Sequence, residues 1–216
     1  MIFKPAEMKQ RDAYQLLISS VVPRPIAFIS SVDSQGIYNL APFSFFMGVT
    51  GDPCTIAVSV NRKGARRDQT GALVQTGLWK DTLNNIQTTG EFVVNLVTEE
   101  IAQAMNRTAA EYPAEMDEFQ IAGLTPIASQ TIKAPRVAES PINMECKLQQ
   151  VVLVGSPNNE TGLVIAEVVL WHIKEEYLTA HGTLDMHKLH PIARLAANWY
   201  STTRDLFEME RPIWKD

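Results

Sequence analysis

Along much of the chain, hydrophobic and polar positions alternate with a period of two, the signature of half-buried strands. Ile26 to Val32 is rich in β-branched and aromatic residues and predicts a strand. Asp33-Ser34-Gln35-Gly36 predicts a turn, with the glycine free to take positive φ. Ile37 to Ala41 predicts the returning strand, and Phe45 to Val49 a further extended run ended by Gly51-Asp52-Pro53. In Thr55 to Val60, Ile56 and Val58 fall on one face and Thr55, Ala57 and Ser59 on the other. Phe92 to Val97 is another strand. Two long runs, Cys146 to Val154 and Leu163 to Ile173, flank a Gly/Ser/Pro/Asn segment of hairpin composition.

Helical signals are fewer. Tyr14 to Val21 predicts a short helix or turn ended by Pro23. Asp81-Thr82 supplies N-cap chemistry for a helix over Leu83 to Thr88, stopped by Gly90. Thr98 caps a second, Glu99 to Asn106, with acids in its first turn where the dipole favours them. Asn61 to Trp79 reads as a long polar loop, and Glu111 to Gly123 as an acidic irregular stretch. The expected fold class is therefore mainly β: an antiparallel barrel with a few short helices rather than a βαβ sheet. A single domain over 1–216 is expected, with 177–216 a tail packing on the barrel or on a partner subunit.

Composition narrows the function. With 216 residues, 19 Lys and Arg against 24 Asp and Glu, and a net charge of −5, the chain has no clustered basic surface of the kind nucleic acid needs. No run approaches the roughly 18 apolar residues of a membrane span, and the N-terminus lacks a signal-peptide core. The two cysteines, Cys54 and Cys146, sit in strand-like runs and read as buried free thiols. A cytoplasmic protein is the expectation.

Two stretches carry candidate chemistry. Pro42 interrupts a well-formed hairpin inside "NLAPFSF". One reading is an edge strand with a bulge, blunted by proline. The other is that backbone groups of Ala41, Phe43 and Ser44 are freed to bond the edge of a flat heterocycle, with Asn39 adding an amide. In "WKDTLNNI", Lys80, Asp81 and Thr82 combine an ammonium, a hydroxyl and a helix start, which suits a phosphate. The plain alternative is a helix cap beside a solvated lysine. His172, His181, His187 and His190 show no recognised metal-ligand spacing. No Gly-x-Ser-x-Gly elbow or Gly-x-Gly-x-x-Gly loop occurs.

Taken in order, "RPIAFISSVDSQGIYNLAPFSFF", "IAVSVNR", "KDTLNNIQTTGEFVVNLV" and the late "IARLAANWY" resemble the flavin reductase-like family of FMN-binding split-barrel proteins. The resemblance implies a Greek-key split β-barrel that pairs into a homodimer, with FMN near the subunit interface. It implies cofactor contacts from Asn39, Ala41, Pro42, Phe43 and Ser44, then from Ser59, Asn61 and Arg62. Lys80, Asp81 and Thr82 would take the phosphate end, and Arg194 with Tyr200 would cover the flavin. NADH or NADPH is the implied electron donor, with an electron-accepting protein or oxygenase as a further partner. No catalytic side chain and no metal is implied, because hydride transfer to a flavin needs neither acid nor base from the protein. Two features depart from the family pattern: Lys63 to Trp79 is longer than the usual link, suggesting a lid or specificity loop, and a Gly-Asp-His segment is missing. The second keeps open a tight FMN-binding electron carrier of flavoredoxin type. A non-redox ligand-binding barrel is the third reading.

Overall fold

A computed structural model describes residues 1–214 except 65, 68–72, 75–76 and 158, with 66–67 and 73–74 described as backbone pairing alone. Its centre is one seven-stranded antiparallel sheet. The strands are β1 (Ala27–Val32), β2 (Tyr38–Phe43), β3 (Phe46–Gly51), β4 (Cys54–Asn61), β5 (Glu91–Leu96), β6 (Ile142–Val154) and β7 (Thr161–Ile173). Their order is β2-β1-β5-β6-β7-β4-β3. The two edge strands, β2 and β3, are consecutive in the chain and joined by Ser44 and Phe45 alone. The sheet therefore curls back on itself, and the barrel is split where β2 passes into β3. The expected mainly β split barrel is the architecture found.

Alternation places the core. Ala27 and Ile29 of β1 join Val58, Val60, Phe92, Val94, Val164 and Ala166 in one buried cluster. Phe28, between them on the opposite face, joins a second cluster with Leu40, Val97, Met105 and Phe119. One strand thus serves two cores, as period-two geometry requires. On β7 the buried set is Gly162, Val164, Ala166 and Val168, opposite Leu163, Ile165 and Trp171. Helix α2 (Asp81–Thr89) plugs the first core with Leu83 and Ile86, both fully buried. Gly162 makes that approach feasible: a Cβ there would lie 2.7 Å from Leu83 Cδ2. The helix packs chiefly on β1, with β2 and β5 next.

The remaining helices are α1 (Gln10–Ser20), α3 (Ala102–Arg107), α4 (Glu118–Ala122) and α5 (Met186–Leu189). The helix expected at 14–21 begins four residues earlier. Helix α4 lies in a stretch expected to be irregular. Asp117 caps it by accepting from Phe119 N at 2.9 Å, and Gly123 ends it at φ 67°. α2 starts at Asp81, one residue before the expected cap pair ends, and its N-cap is Lys80 through main chain, with no side-chain cap bond. Within the long loop, 66–67 pair with 73–74; the expected lid at 63–79 falls largely outside the described residues. The tail returns to the sheet end. Arg24 and Arg194 exchange main-chain hydrogen bonds of 3.0 and 2.8 Å, and Ala193–Arg194 pair with Tyr200–Ser201.

Candidate functional site

Where does Pro42 leave the backbone? β2 runs through it, with Pro42 opposite Phe28 and the ladder continuing to Phe43 opposite Ala27. Leu40 N–H points away from β1 and donates to Glu118 Oε2 at 3.0 Å. Antiparallel pairing alternates, so Pro42 shares that outward direction while Ala41 and Phe43 face β1. The expectation that Pro42 frees the backbone groups of Ala41 and Phe43 is therefore corrected. Proline instead sits on the open edge, where no N–H is needed, which is the edge-strand reading. The interruption comes two residues later. Among the described residues, neither Ser44 N–H nor Phe45 N–H has a hydrogen-bond partner.

Ser44 and Phe45 line a cleft of about 450 Å³, within the range of small-molecule sites. One wall is Pro42, Phe43, Ser44 and Phe45, backed by Ser59 and Asn61 at the end of β4. Lys80, Arg24, Arg194 and Tyr200 also line it, with Tyr14, Ile18 and Met105 adding apolar surface. Ser59 Oγ lies 2.9 Å from Thr161 Oγ1. Arg24, the first residue of the first family motif, organises this part of the structure. It is buried, and its Nη1 donates to the α1 carbonyls of Ile18 and Val21, both at 2.6 Å. Nη2 donates to Leu195 O at 2.8 Å, and Nε to Ser44 Oγ at 3.3 Å. A cation thus caps a helix C-terminus. Because Ser44 Oγ accepts from Arg24, its own hydrogen remains available to a ligand. The Arg194 guanidinium lies 4.5 Å over the Tyr200 ring and donates to Ala197 O.

Pro42 and Lys80 also line a smaller adjoining cleft with Asn39, Ala41, Asp81 and Thr82. Its polar groups are more committed than the sequence suggests. Thr82 is buried and donates its hydroxyl to Asn39 Oδ1 at 2.7 Å. Asn39 Nδ2 donates to Glu118 Oε1 at 3.0 Å. Asp81 accepts from Lys63 Nζ at 2.8 and 2.7 Å. The Thr82 hydroxyl and the Asp81 carboxylate are therefore spent within the protein, a correction to their expected part at a phosphate. The main-chain N–H groups of Asp81 and Thr82, in the first turn of α2, have no hydrogen-bond partner among the described residues.

Arg62 departs further. Its guanidinium stacks 3.7 Å over the Trp79 ring, donates to Glu160 Oε2 at 2.6 Å, and also donates to Gly77 O. It borders neither cleft. Its role is to anchor the end of β4 to the chain returning toward α2.

Glu118, which the sequence did not single out, lines the smaller cleft and holds Asn39 and Leu40 N–H. Burial pushes its carboxyl up to about 7, against the hydrogen bonds from Leu40 and Asn39 that favour the charged form; the negative charge of Asp81 adds to the rise. Glu145 shows the opposite outcome. Burial would raise it, but donation from Thr131, from Gln130 N and from His172 takes it down to about 2. His172 and Glu145 pin the 130–131 turn and border neither cleft. Among the described residues no group of three or more His, Cys, Asp or Glu could hold a metal ion.

Comparison with known proteins gives a consistent picture. A family model described as the flavin reductase like domain matches residues 19–189. An uncharacterised protein of Halalkalibacterium halodurans is 36% identical over 214 residues, 98% of this chain and 97% of its own. Among solved structures, nitrilotriacetate monooxygenase component B from Bacillus cereus superposes with a TM-score of 0.88 at 37% identity, covering 97% of this chain and 98% of that one. The Pseudomonas fluorescens 2-nitrobenzoate 2-nitroreductase NbaA gives 0.84 at 29% identity, with 98% and 96% covered. A split-barrel protein from Shewanella frigidimarina, at 22% identity and a TM-score of 0.79 over 98% of this chain and 100% of its own, shares the fold.

Proposed function

We propose that this chain, which belongs to the flavin reductase-like family, binds FMN in the main cleft and serves as an NADH- or NADPH-dependent oxidoreductase. The observation that carries the reading is the pair of donors without a hydrogen-bond partner among the described residues, Ser44 N–H and Phe45 N–H, belonging to residues that line a cleft of about 450 Å³ together with Lys80. A flavin offers ring carbonyls and nitrogens along one edge and a phosphate at the far end of its ribityl chain, so the donor set fits it. When bound, the flavin supplies the chemistry, accepting a hydride from the nicotinamide and passing electrons on. The protein binds and orients. Arg24 holds Ser44 in place so that one hydroxyl and two main-chain donors present a fixed face, needing no reorganisation as charge develops. Phe43, Met105 and Ile18 exclude water from the faces of a planar ligand. Lys80 and the first N–H groups of α2 hold negative charge.

Homodimer formation and a cytoplasmic setting are parts of the same proposal. Exposed Met47 and Val49 on edge strand β3 offer apolar surface for a second subunit. Among the described residues no helix is long and apolar enough to cross a membrane.

Anaerobic addition of NADH or NADPH to the FMN-loaded protein tests the reading: the flavin absorbance should bleach on a turnover timescale. A loaded protein whose spectrum stays unchanged with both donors would instead be an electron carrier, and a protein that takes up no FMN would be neither. Lys80→Ala should weaken FMN at least tenfold and leave riboflavin binding alone. Gross attraction to a phosphate 4 Å away is about 4 kcal/mol at a partly screened site, and desolvation removes part of it. Equal losses for both ligands in a fluorescence titration would take the phosphate away from Lys80.

A further inference from the structure

The two cations at the rim of the smaller cleft are not equivalent. Lys63 is held by both oxygens of Asp81 at 2.8 and 2.7 Å, so its charge is consumed. Lys80 has a looser neighbour. Its Nζ lies 4.0 Å from Glu111 Oε1, too far for a hydrogen bond, and both side chains are about one-third exposed (31% and 34%). The same Glu111 oxygen accepts from Gly64 N at 2.9 Å, a contact across 47 residues of sequence. A carboxylate carried by the segment after α3 has thus been brought to a main-chain amide and an ammonium, the partners a bound anion would use.

We propose that Glu111 is a specificity-determining residue, its carboxylate holding the anion position beside Lys80 and Gly64 N–H that a ligand's terminal phosphate must take over. The inference depends on the reading that a phosphate-bearing flavin ends at Lys80. A phosphate and a carboxylate cannot both sit beside one ammonium without repulsion, so Glu111 either swings away or weakens the phosphate's hold. A neutral ribityl alcohol meets no such competitor. Glu111 therefore lowers affinity for FMN selectively, and keeps the cofactor exchangeable rather than permanently bound.

Glu111→Gln isolates the charge. The amide keeps an oxygen to accept from Gly64 N, and a partly exposed position leaves the fold unaffected; Glu111→Ala serves as a second variant. FMN and riboflavin are titrated by flavin fluorescence into the wild-type protein and both variants at low ionic strength. Roughly tenfold tighter FMN, unchanged riboflavin, and a gain that shrinks as salt is added are the expected results. Unchanged or weaker FMN binding by the variants, in a wild type that prefers FMN to riboflavin, overturns the role of Glu111 and leaves the phosphate at Lys80 standing. Equal gains for both ligands overturn it too, because shape rather than charge would then be responsible. No preference for FMN over riboflavin in the wild type and in both variants overturns the phosphate reading itself, and the inference with it.

Discussion

Replacing Arg24 by alanine is expected to lower stability by about 3 kcal/mol and to reduce flavin affinity by more than tenfold. Its guanidinium serves three otherwise separate segments: the end of α1 through Ile18 O and Val21 O, the tail through Leu195 O, and the β2–β3 link through Ser44 Oγ. Removing it strands three carbonyls, each costing about 1–3 kcal/mol where water cannot reach it, with partial recovery as the site opens. The hydroxyl of Ser44 also loses the donor that orients it. Arg24→Lys discriminates between charge and geometry. A single ammonium keeps the charge but cannot serve carbonyls on two sides of the cleft as a planar fork does, so most of the loss should persist. Urea denaturation and FMN titration, run where the variants remain folded, measure both effects. An Arg24→Ala protein within 0.5 kcal/mol of wild type would show that the three segments hold together without it.

The second large effect concerns pH. Glu118 sits near 7 in the folded protein and, like any exposed glutamate, near 4.5 when unfolded, so the folded state holds its proton more tightly. Its contribution to stability is then fully present below about 4.5 and is lost as pH rises through about 7. The span corresponds to roughly 3 kcal/mol at 1.36 kcal/mol per unit. Glu118→Gln removes the titration and gives up about one hydrogen bond. The variant should be less stable than wild type at pH 5 and should equal or exceed it at pH 8. Chemical denaturation at a series of pH values reads this as two curves that converge or cross. Curves that stay parallel from pH 5 to 8 would mean the carboxyl titrates alike in both states. Because Glu118 also fixes Asn39 and Leu40 N–H on the cleft strand, FMN affinity should change over the same pH window in wild type and less in the variant.

What was legible in the sequence was local. The first hairpin was readable because its alternation and its turn agree: Asp33 Oδ1 accepts from Gln35 N and Ile37 N, both at 2.8 Å, a bond pattern contained within five residues. Of the residues the family motifs implied, the structure gathers Pro42, Phe43, Ser44, Ser59, Asn61, Lys80 and Arg194 around one cleft. What failed was long-range. Arg62 looked available at a strand end, yet Glu160 captures it from 98 residues away. Thr82 looked like a phosphate hydroxyl, but Asn39, 43 residues upstream, accepts its hydrogen. Glu118 gave no periodic signal because α4 has five residues, and its partner Asn39 lies 79 residues distant. Local propensity cannot report which side chain a fold will spend on another. Pro42 shows a subtler limit: the residue marks an open sheet edge, while the free donors sit just beyond it.

A crystal structure of the protein with FMN tests the central claim most directly. The account predicts the flavin ring against the Phe43–Phe45 wall, accepting from Ser44 N–H or Phe45 N–H, with its phosphate next to Lys80 and the start of α2. Flavin density outside this cleft, or a phosphate directed away from Lys80, would contradict it.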